Sequence, residues 1–148
     1  MGEHRLVVIP TDPGFAPDDV TLRRAVRLVR ELVPDADDVR GTVHDAVLFI
    51  DAGGNSQRID CPACGSELDP AWWDARMERA ARQGFARLAV TPPCCTTPTS
   101  LNDLAYSWPA GFARAEIVAS KPQRGRLTTE ELGRLAGVLH HPVREIRS

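Results

Sequence analysis

Four cysteines constrain this chain of 148 residues more than any other feature of it. They come as two tight pairs, Cys61 with Cys64 in "CPACG" and Cys94 with Cys95 in "PPCC". Tetrahedral zinc takes four thiolates at about 2.3 Å, and two residues between cysteines let one turn present both sulfurs to the same point. Cys61 and Cys64 meet that requirement. Gly65 fits a position just past the second thiolate where the backbone can need a conformation that only glycine adopts freely, and Pro62 stiffens the turn's entry. The expected compartment is the reducing cytoplasm, where such pairs point to a metal before a disulfide. "MGEHRLVVIP" has too short an apolar run for a signal segment, and no stretch approaches the roughly 20 apolar residues of a membrane span.

The stretch Cys61-Pro62-Ala63-Cys64-Gly65 resembles the zinc knuckle of the zinc-ribbon families. With the later Pro-Cys-Cys, the arrangement is similar to small uncharacterised bacterial proteins that carry both motifs, a resemblance that implies no activity. The second pair departs from the ribbon pattern, because neighbouring side chains in extended chain point to opposite sides. A bend at Pro92 and Pro93 would bring both sulfurs round. Three readings stay open: zinc on all of Cys61, Cys64, Cys94 and Cys95, zinc on three of them with His44, His140 or His141 as substitute, or no metal. His44 reads first as a satisfied core histidine, and His140 and His141 as parts of a helix-to-strand turn.

Other chemistries read less well. A redox cysteine pair sits at a helix N-terminus, whose positive end lowers a thiol pKa. Here "GSELD" intervenes before the helix that opens at Pro70. The His-x-Glu and His-Glu-x-x-His patterns of catalytic zinc are missing, as are a nucleophile elbow and a phosphate loop. Asp51, Asn55, Asn102 and Asp103 form a candidate polar site, but Ser100 and Asp103 in "SLND" read better as a capping box.

The remaining chain is expected to be α+β. "RLVVIP" is a buried strand. Asp18 or Asp19 caps a helix with Leu22, Val26, Val29 and Val33 on its apolar face, and Arg23, Arg27 and Arg30 fall on its solvated side. "GTVHDAVLFID" reads as a strand in the middle of a covered sheet. "FARAEIVAS" is a third strand, followed by a helix with a Thr128–Glu131 capping box and a Leu132, Leu135, Leu139 stripe, then the strand "PVREIRS". That order, strand-helix-strand twice over, is the ferredoxin-like βαββαβ order. The chain is thus expected to be one domain, 1–148, with residues 52–111 inserted as a zinc-ribbon-like subdomain. In the insert, Asp69 and Pro70 open a helix that Gly84 stops, and "FARLAV" forms a short strand.

The net charge of -2 demands neither nucleic acid nor an anionic membrane as partner. The closed ligand set favours a non-enzymatic zinc-stabilised module that binds another protein, of adaptor, antitoxin or immunity type. Nucleic-acid binding ranks second, through Lys121, Arg124 and Arg126 in "KPQRGR", and a zinc or thiol enzyme third. Neighbours on a helix diverge by about 100°. Trp73 is therefore expected in the core, in line with Met77 and Ala80, with Trp72 turned out beside Arg76 and Arg79 as a partner contact.

Overall fold

A strand buried from Leu6 to Pro10 belongs inside a sheet, and β1 (Arg5–Pro10) lies there. The computed structural model describes residues 4–51, 58–107 and 110–147. Next in order come α1 (Asp19–Leu32), β2 (Asp38–Asp51), β3 (Ile59–Asp60), α2 (Pro70–Arg82), β4 (Ala89–Val90), β5 (Thr99–Ser100) and a 3-10 turn at Leu101–Asp103. The chain continues through β6 (Ala105–Tyr106), β7 (Ala110–Ser120), α3 (Thr129–Leu139) and β8 (Val143–Arg147).

β2, β7, β1 and β8 form a four-stranded sheet in that spatial order, with every neighbouring pair antiparallel. The strands joined through α1, β1 and β2, are separated by β7, and those joined through α3, β7 and β8, are separated by β1. Alternation along β1 divides the core. Leu6 and Val8 pack with Ala25 and Val29 of α1 and Leu135 and Leu139 of α3, while Val7 and Ile9 cluster with Ile50, Ala113 and Ile146.

The helix caps follow the sequence. Asp18 accepts from the Thr21 N–H, Asp69 from the Ala71 N–H with Pro70 in the first turn, and Thr128 and Glu131 form a reciprocal capping box. His140 closes α3 in a left-handed conformation, and His141 stacks on Phe15 at 4.3 Å, so both lie in the expected turn.

Several expectations need correcting. β2 is an edge strand rather than the middle of a covered sheet, and most of its residues are exposed or half-buried. Its register with β7 shifts between Val43 and Leu48, where His44 and Asp45 interrupt the apolar run. His44 is accordingly no core residue: it is half-buried, with Nε2 2.8 Å from Glu116 Oε2. "FARLAV" shrinks to the two residues of β4, because Gly84 and Phe85 both adopt positive φ (62° and 55°) and the Phe85 N–H returns to the Ala80 carbonyl.

Between β2 and β7 the chain builds a second cluster around Ile59, Cys61, Leu68, Ala80, Leu101, Leu104 and Phe112. Two minimal sheets, β3 with β6 and β4 with β5, hold its ends together. Trp73 meets Phe49 edge-on at 5.9 Å, and its Nε1–H donates to the Tyr106 hydroxyl, which donates to the Leu101 carbonyl. Trp72 does not stand free as a contact residue. It is half-buried and packs against the same cluster, as Trp73 does. Trp108 lies outside the described residues.

Candidate metal centre

The first cysteine turn is a small hairpin drawn tight by its own backbone. The Gly65 N–H donates to the Cys61 carbonyl and the Cys61 N–H to the Ser66 carbonyl, both at 2.8 Å, and the Leu68 N–H reaches the Ile59 carbonyl. Gly65 takes φ 77°, the left-handed region in which a Cβ is strained. Chain reversal right after Cys64 keeps both sulfurs on one side of the turn.

The second turn removes the difficulty raised by adjacent cysteines. Residues 91–98 link β4 to β5, and a turn closed by the Cys95 N–H on the Pro92 carbonyl bends the chain at the two prolines. All four sulfurs lie within 4.8 Å of one another. Cys61 Sγ is 3.6 Å from Cys95 Sγ, and Cys64 Sγ is 3.3 Å from Cys94 Sγ, so each close pair draws one sulfur from each turn. A tetrahedron with Zn–S bonds of about 2.3 Å has edges of about 3.8 Å, close to both separations. The four thiols are free, Cys61 and Cys95 against the insert's core and Cys64 and Cys94 at the surface.

The electrostatics also favour a cation. The Ser66 hydroxyl and N–H bond to the Cys64 sulfur and, with Cys94 beside it, hold that thiol down at about 6. Cys94 is pushed up to about 12, first by desolvation and then by the neighbouring Cys64 and Cys61 sulfurs. Four sulfurs packed this closely cannot all carry charge without a positive ion among them, and a divalent metal that takes thiolates relieves that repulsion. The cluster is therefore compatible with a bound metal ion, and zinc suits its all-sulfur donor set.

The other candidates do not join it. Among the described residues, the group placed to hold a metal comprises these four cysteines and no histidine. Asn55 lies outside the described residues. Ser100 caps the 3-10 turn through the Asn102 N–H rather than through Asp103, because the turn is three residues long. Asn102 is buried and joins the insert to the sheet. Its Nδ2 donates to the Thr11 carbonyl, and its Oδ1 accepts from the Phe112 N–H and from Arg144.

The basic loop is largely committed to the fold. Arg124 makes a two-pronged bond to Glu131 at 2.7 and 2.8 Å and donates to the Leu32 carbonyl, while Lys121 stands 3.6 Å from Asp37. Reading the sequence did not single out Ser66 or the structural role of Asn102. A serine after Gly65 carries no motif, and Asn102 acquires its partners only from segments distant in sequence. No protein-family model, curated protein or solved structure matches this chain. No helix among the described residues is long and apolar enough to cross a membrane.

Proposed function

We propose that Cys61, Cys64, Cys94 and Cys95 hold one structural zinc ion, and that the chain is a non-enzymatic, zinc-stabilised module that presents its insert to another protein. The observation that carries the reading is the crosswise set of four sulfurs within 4.8 Å, delivered by two turns of the insert. Four protein thiolates complete the coordination of zinc, leaving no position for a water nucleophile or a substrate oxygen, whereas catalytic zinc keeps one open. The metal's contribution is then to folding. The strand order β2-β7-β1-β8 supports a ferredoxin-like core, and the knuckle hairpin with its partner turn supports a zinc-ribbon-like insert.

Elemental analysis of protein purified in reductant without chelator should give about one zinc per chain, with all four thiols slow to react until the metal is removed. Metal-free protein, or four thiols that react at once, refutes the zinc centre. The binding role is tested by cross-linking in the native host with wild-type chain and with Cys94→Ser. A partner captured by the first and lost with the second supports it, and a turnover that tracks zinc content overturns it.

Nucleic-acid binding loses its main support in the residues that suggested it. Arg124 is bound to Glu131, Lys121 stands beside Asp37, and Arg126 acts on the nearby Glu145, so each member of that trio already faces a carboxylate.

A further inference from the structure

Beyond the metal centre, the insert gathers arginines around one concavity. A cavity of about 410 Å³ lies between the C-terminal half of α2 and the β4–β5 hairpin. Residues at helical spacing on one face of α2, Arg76, Arg79 and Gln83, line one wall. Arg87 enters from the following loop, and Ala89 and Val90 supply apolar surface. No carboxylate lines the cavity.

The dull explanation is that arginines near the end of α2 complement the helix dipole. It covers Arg79 and Arg82, the basic residues of the last turn. Arg82 faces elsewhere and pairs with Glu78 at 2.9 Å. The dipole explains neither Arg87, which lies beyond the helix, nor Arg76 in its middle. Arg76 is half-buried, and its Nε is shut off from solvent with no acceptor among the described residues. A buried donor left without a partner is costly, and an acceptor brought by a ligand would relieve that cost. The α1 face provides a contrast. There Arg23 and Arg30 donate to backbone carbonyls and Arg40 of the neighbouring β2 pairs with Asp38, so three of the four arginines lining the groove there, Arg27 being the fourth, have local acceptors.

We propose that this groove binds a small molecule through an oxyanion, a phosphate or carboxylate group held among Arg76, Arg79 and Arg87. Guanidinium forks match both oxyanions in a bidentate manner. The volume suits a ligand larger than a bare ion, with Ala89 and Val90 left to cover its apolar part. Thr91 and Pro98 also line the groove, and they flank the loop that carries Cys94 and Cys95. The site is therefore framed by the metal turn without using any metal ligand.

Isothermal titration of the full chain with inorganic phosphate, pyrophosphate and succinate, at constant ionic strength set with chloride, tests the proposal. Saturable binding of at least one probe is expected, with Kd on the order of 1 mM or tighter. Arg79→Ala combined with Arg87→Ala should weaken it at least about tenfold, since each charge-assisted bond is worth more than that factor. Both are exposed, so this variant should fold even where Arg76→Ala does not. Arg24→Ala with Arg134→Ala removes the same charge elsewhere and should leave binding within about twofold, because exposed charges farther apart than a Debye length are largely screened. Preference for the phosphates over succinate, or the reverse, identifies the anion. Absence of saturable binding, or equal weakening in both double variants, overturns the proposal. Zinc counted in the same samples reports on the metal centre separately.

Discussion

Replacing Asn102 by alanine should cost more than any other single polar change at the junction of insert and sheet. Asn102 is 7% exposed and makes three bonds to groups that are distant in sequence. Its Nδ2 donates to the Thr11 carbonyl at 3.3 Å, beyond the end of β1. Its Oδ1 accepts from the Phe112 N–H of β7 at 3.0 Å and from Nη2 of Arg144 in β8. A neutral bond contributes about 1 kcal/mol and one to a charged group about 1.5–3; alanine removes all three side-chain bonds and leaves Arg144 Nη2 only its longer contact with the residue-102 backbone carbonyl, at 3.4 Å. Phe112 is wholly buried, so its N–H has no route to water, and the Arg144 Nε already lacks an acceptor. The loss should reach about 3–5 kcal/mol. For a domain of this size that lowers Tm by roughly 6–20 °C. Urea titration and calorimetry on wild type, Asn102→Ala and Asn102→Asp would measure it. The aspartate keeps the acceptors and loses the donor to Thr11, so it should fall between the other two. A cost below about 1 kcal/mol for alanine would show that the junction does not depend on this side chain.

Gly111 belongs to the same junction. A Cβ there would stand 2.7 Å from Nη2 of Arg144 and 2.8 Å from Cδ1 of Ile9, so Gly111→Ala should displace Arg144 from Asn102 at a cost of about 1–3 kcal/mol. Combined with Asn102→Ala it should be less than additive in a double-mutant cycle, since both break one contact. The Arg124–Glu131 pair sets an acid dependence. Bonding to Arg124 and to the Thr128 N–H holds Glu131 at about 2, below its ordinary 4.5, so its contribution is complete above about pH 4.5 and is lost as pH falls toward 2. Glu131→Gln keeps the capping geometry and should lower stability at pH 7 by about 1–3 kcal/mol while flattening the acid limb of a urea-midpoint profile. An unchanged acid limb would refute the assignment.

Local features were legible in the sequence because their causes are local. Asp18, Asp69 with Pro70, and Thr128 with Glu131 mark helix starts through bonds that span a few residues, and Gly65 and Gly84 adopt the positive φ expected of them. The cysteine cluster was legible as two pairs, and Pro92 and Pro93 marked the bend that aligns Cys94 with Cys95, which one turn hydrogen bond closes. Position within the sheet was harder to read. The apolar run of β2 suggested an interior strand, yet sheet order depends on which strands return beside β1, and β7 and β8 take both of its edges. Trp72 failed for a related reason. Helical divergence from Trp73 pointed Trp72 out of the core, whereas both tryptophans pack, half-buried, against one cluster. The arginine groove was not legible either, since Arg87 joins Arg76 and Arg79 only after the chain reverses at Gly84 and Phe85.

The insert's architecture also determines how the protein should respond to losing the proposed zinc. Its strands β3, β4, β5 and β6 are two residues each, paired in two-stranded sheets, and such pairs are marginal alone. The cluster that supports them includes Cys61 itself as a buried member. The main sheet is different: its helix-facing cluster, built on Leu6, Val8, Val29, Ile117 and Leu135, contains no cysteine and no residue of the insert. A structural zinc contributes roughly 10–16 kcal/mol at neutral pH, more than a pair of two-residue sheets can replace. Chelation under reductant should therefore release the insert and leave the sheet with α1 and α3 folded. Trp72 and Trp73 both lie in α2, so near-ultraviolet dichroism should lose most of their contribution while far-ultraviolet dichroism keeps most of the strand signal. Hydrogen exchange should locate the boundary, with amides of β3 to β6 exchanging quickly and those of β1 and β7 remaining protected. Loss of protection in β1 and β7 together with the insert would show that insert and sheet form one cooperative unit. Continued protection of β3 and β6 in metal-free protein would show that the four cysteines contribute no structural ion.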